Sequence, residues 1–139
     1  MSISVKLRVR YAESDQMGIA YYSNYFVWFE TARTELMREC GIPYTDMEKK
    51  GLFLPASECH CSYTAPVRYD DLIEIRCLIT EVRTRAVRFE YEVVRGEIVA
   101  ARGYTIHVCT DRNAKPRLIP SRIRQVLLEV SKPEMSHKG

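Results

Sequence analysis

Between Tyr25 and Cys40 the chain carries an apolar stripe that constrains its fold more than any other feature. Tyr25, Phe29, Ala32, Leu36 and Cys40 recur every three or four residues, the spacing of one helix face, and Phe26, Trp28 and Met37 widen it. Such a helix needs cover on more than one side. Ser23 or Asn24 can cap its start by accepting bonds from free backbone N–H groups, and Gly41 and Pro43 stop it. Before it, Ile3, Val5, Leu7 and Val9 alternate with polar residues, the period of a half-buried strand. After it come a short helix over Tyr44–Lys50 and a return to strands: Leu52–Ala65, broken near Pro55, then Leu72–Arg83, Val87–Arg95 and Ile98–Cys109, with a hairpin at Gly96. A turn-rich loop over Asp111–Pro120 precedes a last short helix, Ser121–Val130. One strand, one buried helix and an antiparallel meander predict an α+β fold, a curved antiparallel sheet of about five strands wrapped around one long helix. Such a sheet keeps two open edges, and pairing one with a second copy would remove part of that exposure.

Composition narrows the partners. Hydrophobic residues make up 46% of the 139, enough for a real core, and one domain over residues 1–130 with a flexible C-terminal tail over 131–139 is expected. With 21 basic and 18 acidic residues, the net charge of +3 gives no indication of nucleic-acid binding. The first residues contain no long apolar segment and no run reaches bilayer length, so neither a leader nor membrane insertion is expected. Five cysteines without paired spacing fit free thiols in a reducing compartment, and the reading is cytoplasmic.

Chemistry concentrates in Glu13–Tyr25, where an acid precedes a glycine, an aromatic run and the helix start. Asp15 can cap a loop, or it can be a reactive carboxylate. Glu13, two residues earlier, reads as a solvent or scaffold residue. Cys59-His60-Cys61 resembles a metal site at first glance, but on a strand the cysteines face one way and His60 the other, and no second pair completes a tetrahedral set. No metal and no cofactor are expected. His60 and Ser62 share a face that can line a pocket, although an ordinary strand histidine is the simpler reading. Tyr21 and Tyr25 can touch a ligand or pack in the core. Arg83 and Arg85, two apart with Arg88 nearby, are either a solvated charged face or forks for phosphate oxygens.

Three segments carry a resemblance: Tyr11-Ala12-Glu13-Ser14-Asp15-Gln16-Met17-Gly18; Tyr22-Ser23-Asn24-Tyr25 leading to Phe29-Glu30-Thr31-Ala32-Arg33; and Cys61-Ser62-Tyr63-Thr64-Ala65-Pro66-Val67-Arg68-Tyr69-Asp70-Asp71. From about Val5 to about Cys109 the chain resembles the hot-dog-fold acyl-CoA thioesterases, in the group of 4-hydroxybenzoyl-CoA and Tol-Pal-associated thioesterases. The resemblance implies a hot-dog fold and hydrolysis of a small aromatic, short-chain or branched acyl-CoA. Asp15 would be nucleophile or base, and the Tyr22 N–H at the helix mouth would polarise the carbonyl. Gly18, Tyr25, His60 and Ser62 are then the candidates to surround the substrate, and the family's basic residues in this segment put Arg83 and Arg85 on the phosphates of coenzyme A. It also implies a homodimer or homotetramer with sites between subunits. The Tol-Pal-associated branch often has a histidine where this chain has Tyr22, which weakens a histidine-assisted mechanism here. The alternative is a non-catalytic binder of acyl-CoA or acyl-carrier protein; a dehydratase of the same fold would need a histidine at the helix mouth.

Overall fold

The structure, a computed structural model, describes residues 1–133. Most of the expected tail therefore lies outside the described residues. Strand β1 (Ser2–Arg8) leads through a 3-10 turn at Tyr11–Glu13 to helix α1 (Asn24–Glu39), then α2 (Tyr44–Lys49). Strands β2 (Ala56–Tyr63), β3 (Leu72–Val82), β4 (Ala86–Arg95) and β5 (Ile98–Val108) follow, and α3 (Ser121–Val130) closes the chain. The five strands form one antiparallel sheet in the order β1-β3-β4-β5-β2.

The pairing aligns the alternating apolar residues. Ile3, Val5 and Leu7 of β1 stand opposite Cys77, Ile75 and Ile73 of β3. Helix α1 buries Tyr25, Trp28, Phe29, Ala32, Leu36 and Met37, close to the expected stripe, each large side chain worth roughly 1.5–3 kcal/mol of transfer free energy. Phe29 lies flat on Tyr91 of β4, ring centroids 4.2 Å apart and planes 7° from parallel. Its ring also presses on β5 at Gly103, where a Cβ would sit 2.6 Å from Phe29 Cε2 and 2.5 Å from the His60 carbonyl oxygen. Glycine at that point lets helix and sheet approach.

One expectation fails. The sheet does not wrap around α1: it is open, β1 and β2 are its two edges, and they do not pair with each other. The helix lies on one face, against β1 and β3. Its opposite flank (Val27, Glu30, Thr31 and Arg38) is exposed. Three of these four are polar, so water can cover that flank and no closed sheet is needed. The sheet is α+β and antiparallel, but it is a platform for the helix.

Strand β2 starts at Ala56, four residues later than expected. Leu52–Pro55 meets the end of β5 and the residues after it only through single contacts, such as the reciprocal bonds between Phe53 and Thr110. Pro55 has no N–H to give a ladder, and its carbonyl accepts from Val108 at 3.1 Å.

Candidate active site

Asp15 opens a tight turn. Ser14 and Ala20 face each other across it, the Asp15 N–H donates to the Ile19 carbonyl at 2.8 Å, and the Gly18 N–H donates to the Asp15 carbonyl at 3.0 Å. Gly18 has φ of 74°, a backbone state that glycine enters without steric cost. The carboxylate is divided in use. Oδ1 accepts from the N–H groups of Met17 at 2.8 Å and Ile19 at 3.2 Å, while Oδ2 meets no donor among the described residues. Asp15 is therefore a loop cap through one oxygen and an exposed, unengaged carboxylate oxygen through the other. The turn is tied to the chain before β3: Ala20 N–H donates to Val67 at 2.6 Å and Tyr69 N–H to Gly18 at 3.1 Å.

The helix mouth is built without the expected cap. Ser23 makes no side-chain cap bond, and Asn24 donates backward through Nδ2, to the Glu13 carbonyl at 2.8 Å and the Tyr21 carbonyl at 3.2 Å. The N–H groups of Asn24 and Tyr25 bond the carbonyls of Tyr21 and Tyr22 at 3.1 and 3.2 Å. Those of Tyr22 and Ser23 meet no acceptor among the described residues. Ser23 is the N-cap of α1 and Tyr22 the residue before it, so both N–H groups lie near the positive end of the helix dipole.

Asp15 and Tyr22 line one cleft of about 400 Å³, with Ile19, Tyr25, Tyr63 and Pro66 among its other walls. Tyr63 was not anticipated. Its hydroxyl donates to the Tyr22 carbonyl at 3.1 Å, and its ring meets Tyr25 edge-on at 4.8 Å. Parity carried the signal: Tyr63 shares a strand face with Cys61, whereas the sequence reading favoured the face of His60 and Ser62. Tyr25, 2% exposed, is both core and wall. Burial, with the Cys61 thiol nearby, pushes its hydroxyl up to about 12, so it stays protonated at neutral pH. Burial also holds the Cys61 thiol at about 11, which makes it a poor nucleophile.

Glu13 is scaffold and not solvent-facing: it is 5% exposed. Its carboxylate accepts from the Arg10 N–H at 2.8 Å and the Trp28 indole N–H at 2.9 Å, with the Arg10 guanidinium at 3.4 Å. Burial alone would raise this carboxyl, but those donors together hold it below the ordinary carboxylate range.

Other candidates lie elsewhere in the protomer. Gly18 serves the Asp15 turn. His60 and Ser62 are exposed on the edge strand, bonded to each other at 3.1 Å, with His60 stacked on Tyr104 at 5.4 Å. Arg83 and Arg85 fall in the turn after β3 and not on a continuing strand. Arg83 is paired with Glu81 at 2.9 Å, and Arg85 lines a cavity with Lys50 and Arg117. A larger cavity of about 640 Å³ borders Glu30, Arg33, Tyr44 and Phe53. Arg33 there already donates to the hydroxyls of Tyr44 at 3.1 Å and Tyr91 at 3.0 Å. The start of α2, at Tyr44, borders that cavity, but α2 is only six residues long. The Asp15 cleft joins an unengaged carboxylate oxygen to the mouth of the sixteen-residue α1.

The sequence pattern of the thioesterase-like superfamily matches residues 9–129. The acyl-CoA thioester hydrolase YbgC of Escherichia coli is 29% identical over 119 residues, which span 84% of this chain and 89% of that one. Among solved structures, protein TT1821 of Thermus thermophilus superposes with a TM-score of 0.89 at 34% identity, over 95% of this chain and 99% of the other. The DHNA-CoA thioesterase of Staphylococcus aureus superposes with a TM-score of 0.88 at 25% identity, over 93% and 90% of the two chains.

Proposed function

The chain belongs to the thioesterase-like superfamily and is a hot-dog-fold acyl-CoA thioesterase; from that premise we propose that it hydrolyses a small aromatic, short-chain or branched acyl-CoA in the Asp15 cleft. The observation that carries the reading is the pairing of an unengaged Asp15 Oδ2 with the unpartnered Tyr22 N–H on one cleft. The thioester carbonyl oxygen accepts from the Tyr22 N–H, with Ser23 next in line. A directed donor of this kind supplies roughly 3–4 kcal/mol as the oxygen becomes negative, whereas the helix dipole adds only about 0.3–1 kcal/mol at an exposed site. Oδ2 then acts in one of two ways. As nucleophile it attacks the carbonyl carbon, expels the coenzyme A thiolate and leaves an anhydride that water cleaves. As base it takes a proton from a water that attacks the same carbon, and the C–S bond breaks as the tetrahedral intermediate collapses. In both, acid and coenzyme A are the products.

The working unit in this proposal is a homodimer or homotetramer in the cytoplasm. Strand β2 supports it: an edge strand exposed along nearly its whole length offers a row of unpaired backbone groups to a second copy. The turn carrying Arg83 and Arg85 lies at the far end of β3 from the Asp15 turn, about 36 Å along an 11-residue strand. Their proposed phosphate contacts are accordingly made to substrate in the cleft of another protomer. Lys50, Arg85 and Arg117 on one cavity favour that role. Among the described residues no helix is long and apolar enough to cross a membrane, and the described cysteines are free, as a reducing compartment would keep them. Release of free thiol from a panel of acyl-CoA esters tests the proposal and names the acyl class; Asp15→Ala should release none above background.

A further inference from the structure

We infer that Asn24 is a positioning residue, whose side chain locks the Tyr21–Tyr22 peptide so that the Tyr22 N–H faces the cleft. The inference rests on the proposed role of that N–H. In a trans peptide the carbonyl and the N–H point in opposite directions, so whatever holds the Tyr21 carbonyl also aims the Tyr22 N–H. Asn24 holds that carbonyl twice, through its backbone N–H at 3.1 Å and through Nδ2 at 3.2 Å. The second Nδ2 hydrogen reaches the Glu13 carbonyl at 2.8 Å, which also accepts the Tyr21 N–H at 2.8 Å. Glu13 lies two residues before Asp15, and its carboxylate is anchored to Trp28, one turn into α1. One carboxamide thus joins the segment that carries the reactive carboxylate to the peptide that carries the oxyanion donor. A peptide flip would break the clamp and turn the Tyr21 carbonyl oxygen, which repels a developing oxyanion, toward the substrate. Both amide hydrogens of Asn24 are used in this way, so a helix-start residue that usually accepts from the backbone here donates to it.

Three variants separate positioning from folding. Asn24→Asp keeps the shape, replaces the donating Nδ2 with an acceptor oxygen, and places an acid where a helix start tolerates one well. Asn24→Ala removes both side-chain bonds and leaves only the backbone N–H on the Tyr21 carbonyl. Asn24→Ser restores the bond to the carbonyl three residues back, a contact serine already makes in this protein from Ser14 to Tyr11 at 2.7 Å and from Ser131 to Leu128 at 2.8 Å. The expected result is kcat lower by about tenfold or more in the Asp and Ala variants, from misplacement of one donor, with KM within about twofold of wild type. The Ser variant should recover most of the loss. Wild-type kcat in Asn24→Asp and Asn24→Ala, beside an inactive Asp15→Asn, would overturn the clamp. So would an Asn24→Ser no better than Asn24→Ala, with kcat and thermal midpoint falling together. A fully active Asp15→Asn would instead sink the proposed chemistry, and the clamp with it.

Discussion

At Asp15 the two carboxylate oxygens differ in use: Oδ1 holds the turn, and Oδ2, free of donors among the described residues, is the atom the proposed chemistry needs. Tyr22 divides in the same way: its N–H meets no acceptor among the described residues, while its hydroxyl only meets that of Tyr21 at 3.1 Å in solvent. Tyr22→Phe should therefore keep kcat within about threefold of wild type, as one exposed pair is worth little; a collapse of turnover in a variant with wild-type circular dichroism would mean the hydroxyl takes part. His107 carries a different prediction. It bonds the Leu54 carbonyl at 2.8 Å and Thr105 Oγ1 at 2.9 Å, and burial, helped by the Arg33 charge, pushes its pKa down to about 4. Folded His107 is harder to protonate than in the unfolded chain, where histidine titrates near 6.5. Its contribution is full above about pH 6.5 and lost as pH falls toward about 4, about 2–4 kcal/mol in all. Urea unfolding at stepped pH should show that decline, flattened in His107→Gln; constant wild-type stability from pH 6.5 to 4.5 would refute it. The acid and the helix mouth were legible because they are local in sequence. The Glu13–Trp28 bond spans 15 residues between an unremarkable acid and a core indole, and no spacing rule connects them.

At the scale of elements, periodicity locates β1 and α1 because each buries one regular face. It failed where backbone chemistry intervenes. Pro55 delays β2, and the chain leaves the β3 ladder at Val82, which puts Arg83 and Arg85 in a turn. Within one protomer the Asp15 cleft takes Tyr63, and a one-residue change of parity separates its face of β2 from that of His60 and Ser62. The arginine turn still makes a separable prediction. Replacing Arg83 and Arg85 by Ala should raise KM for full coenzyme A thioesters several-fold and leave pantetheine thioesters nearly unchanged. Arg83 is already paired with exposed Glu81, an interaction of small worth, so Arg85 should account for most of the effect. Equal losses on both substrates would make the turn structural.

For the whole molecule, the sequence overstates how far the sheet must close, because an apolar stripe reports which face of a helix is buried and not what covers the opposite flank. Val27, Glu30, Thr31 and Arg38 leave that flank to solvent or to a neighbour, and β2 leaves an edge open beside it. Sedimentation should accordingly find dimers or larger species at micromolar concentration; a fully active monomer would remove the proposed sharing of sites between copies. The central claim is narrower and concerns one oxygen atom. Asp15→Asn retains a side-chain oxygen to accept from Met17 and Ile19, so the turn, the assembly and acyl-CoA binding should persist. What it loses is the charge on the group facing the cleft. Steady-state thiol release on the best acyl-CoA, measured beside binding of the same ester, should then show kcat lower by a factor of about 100 or more with affinity unchanged. An Asn variant that binds normally and keeps most of its turnover would contradict the account.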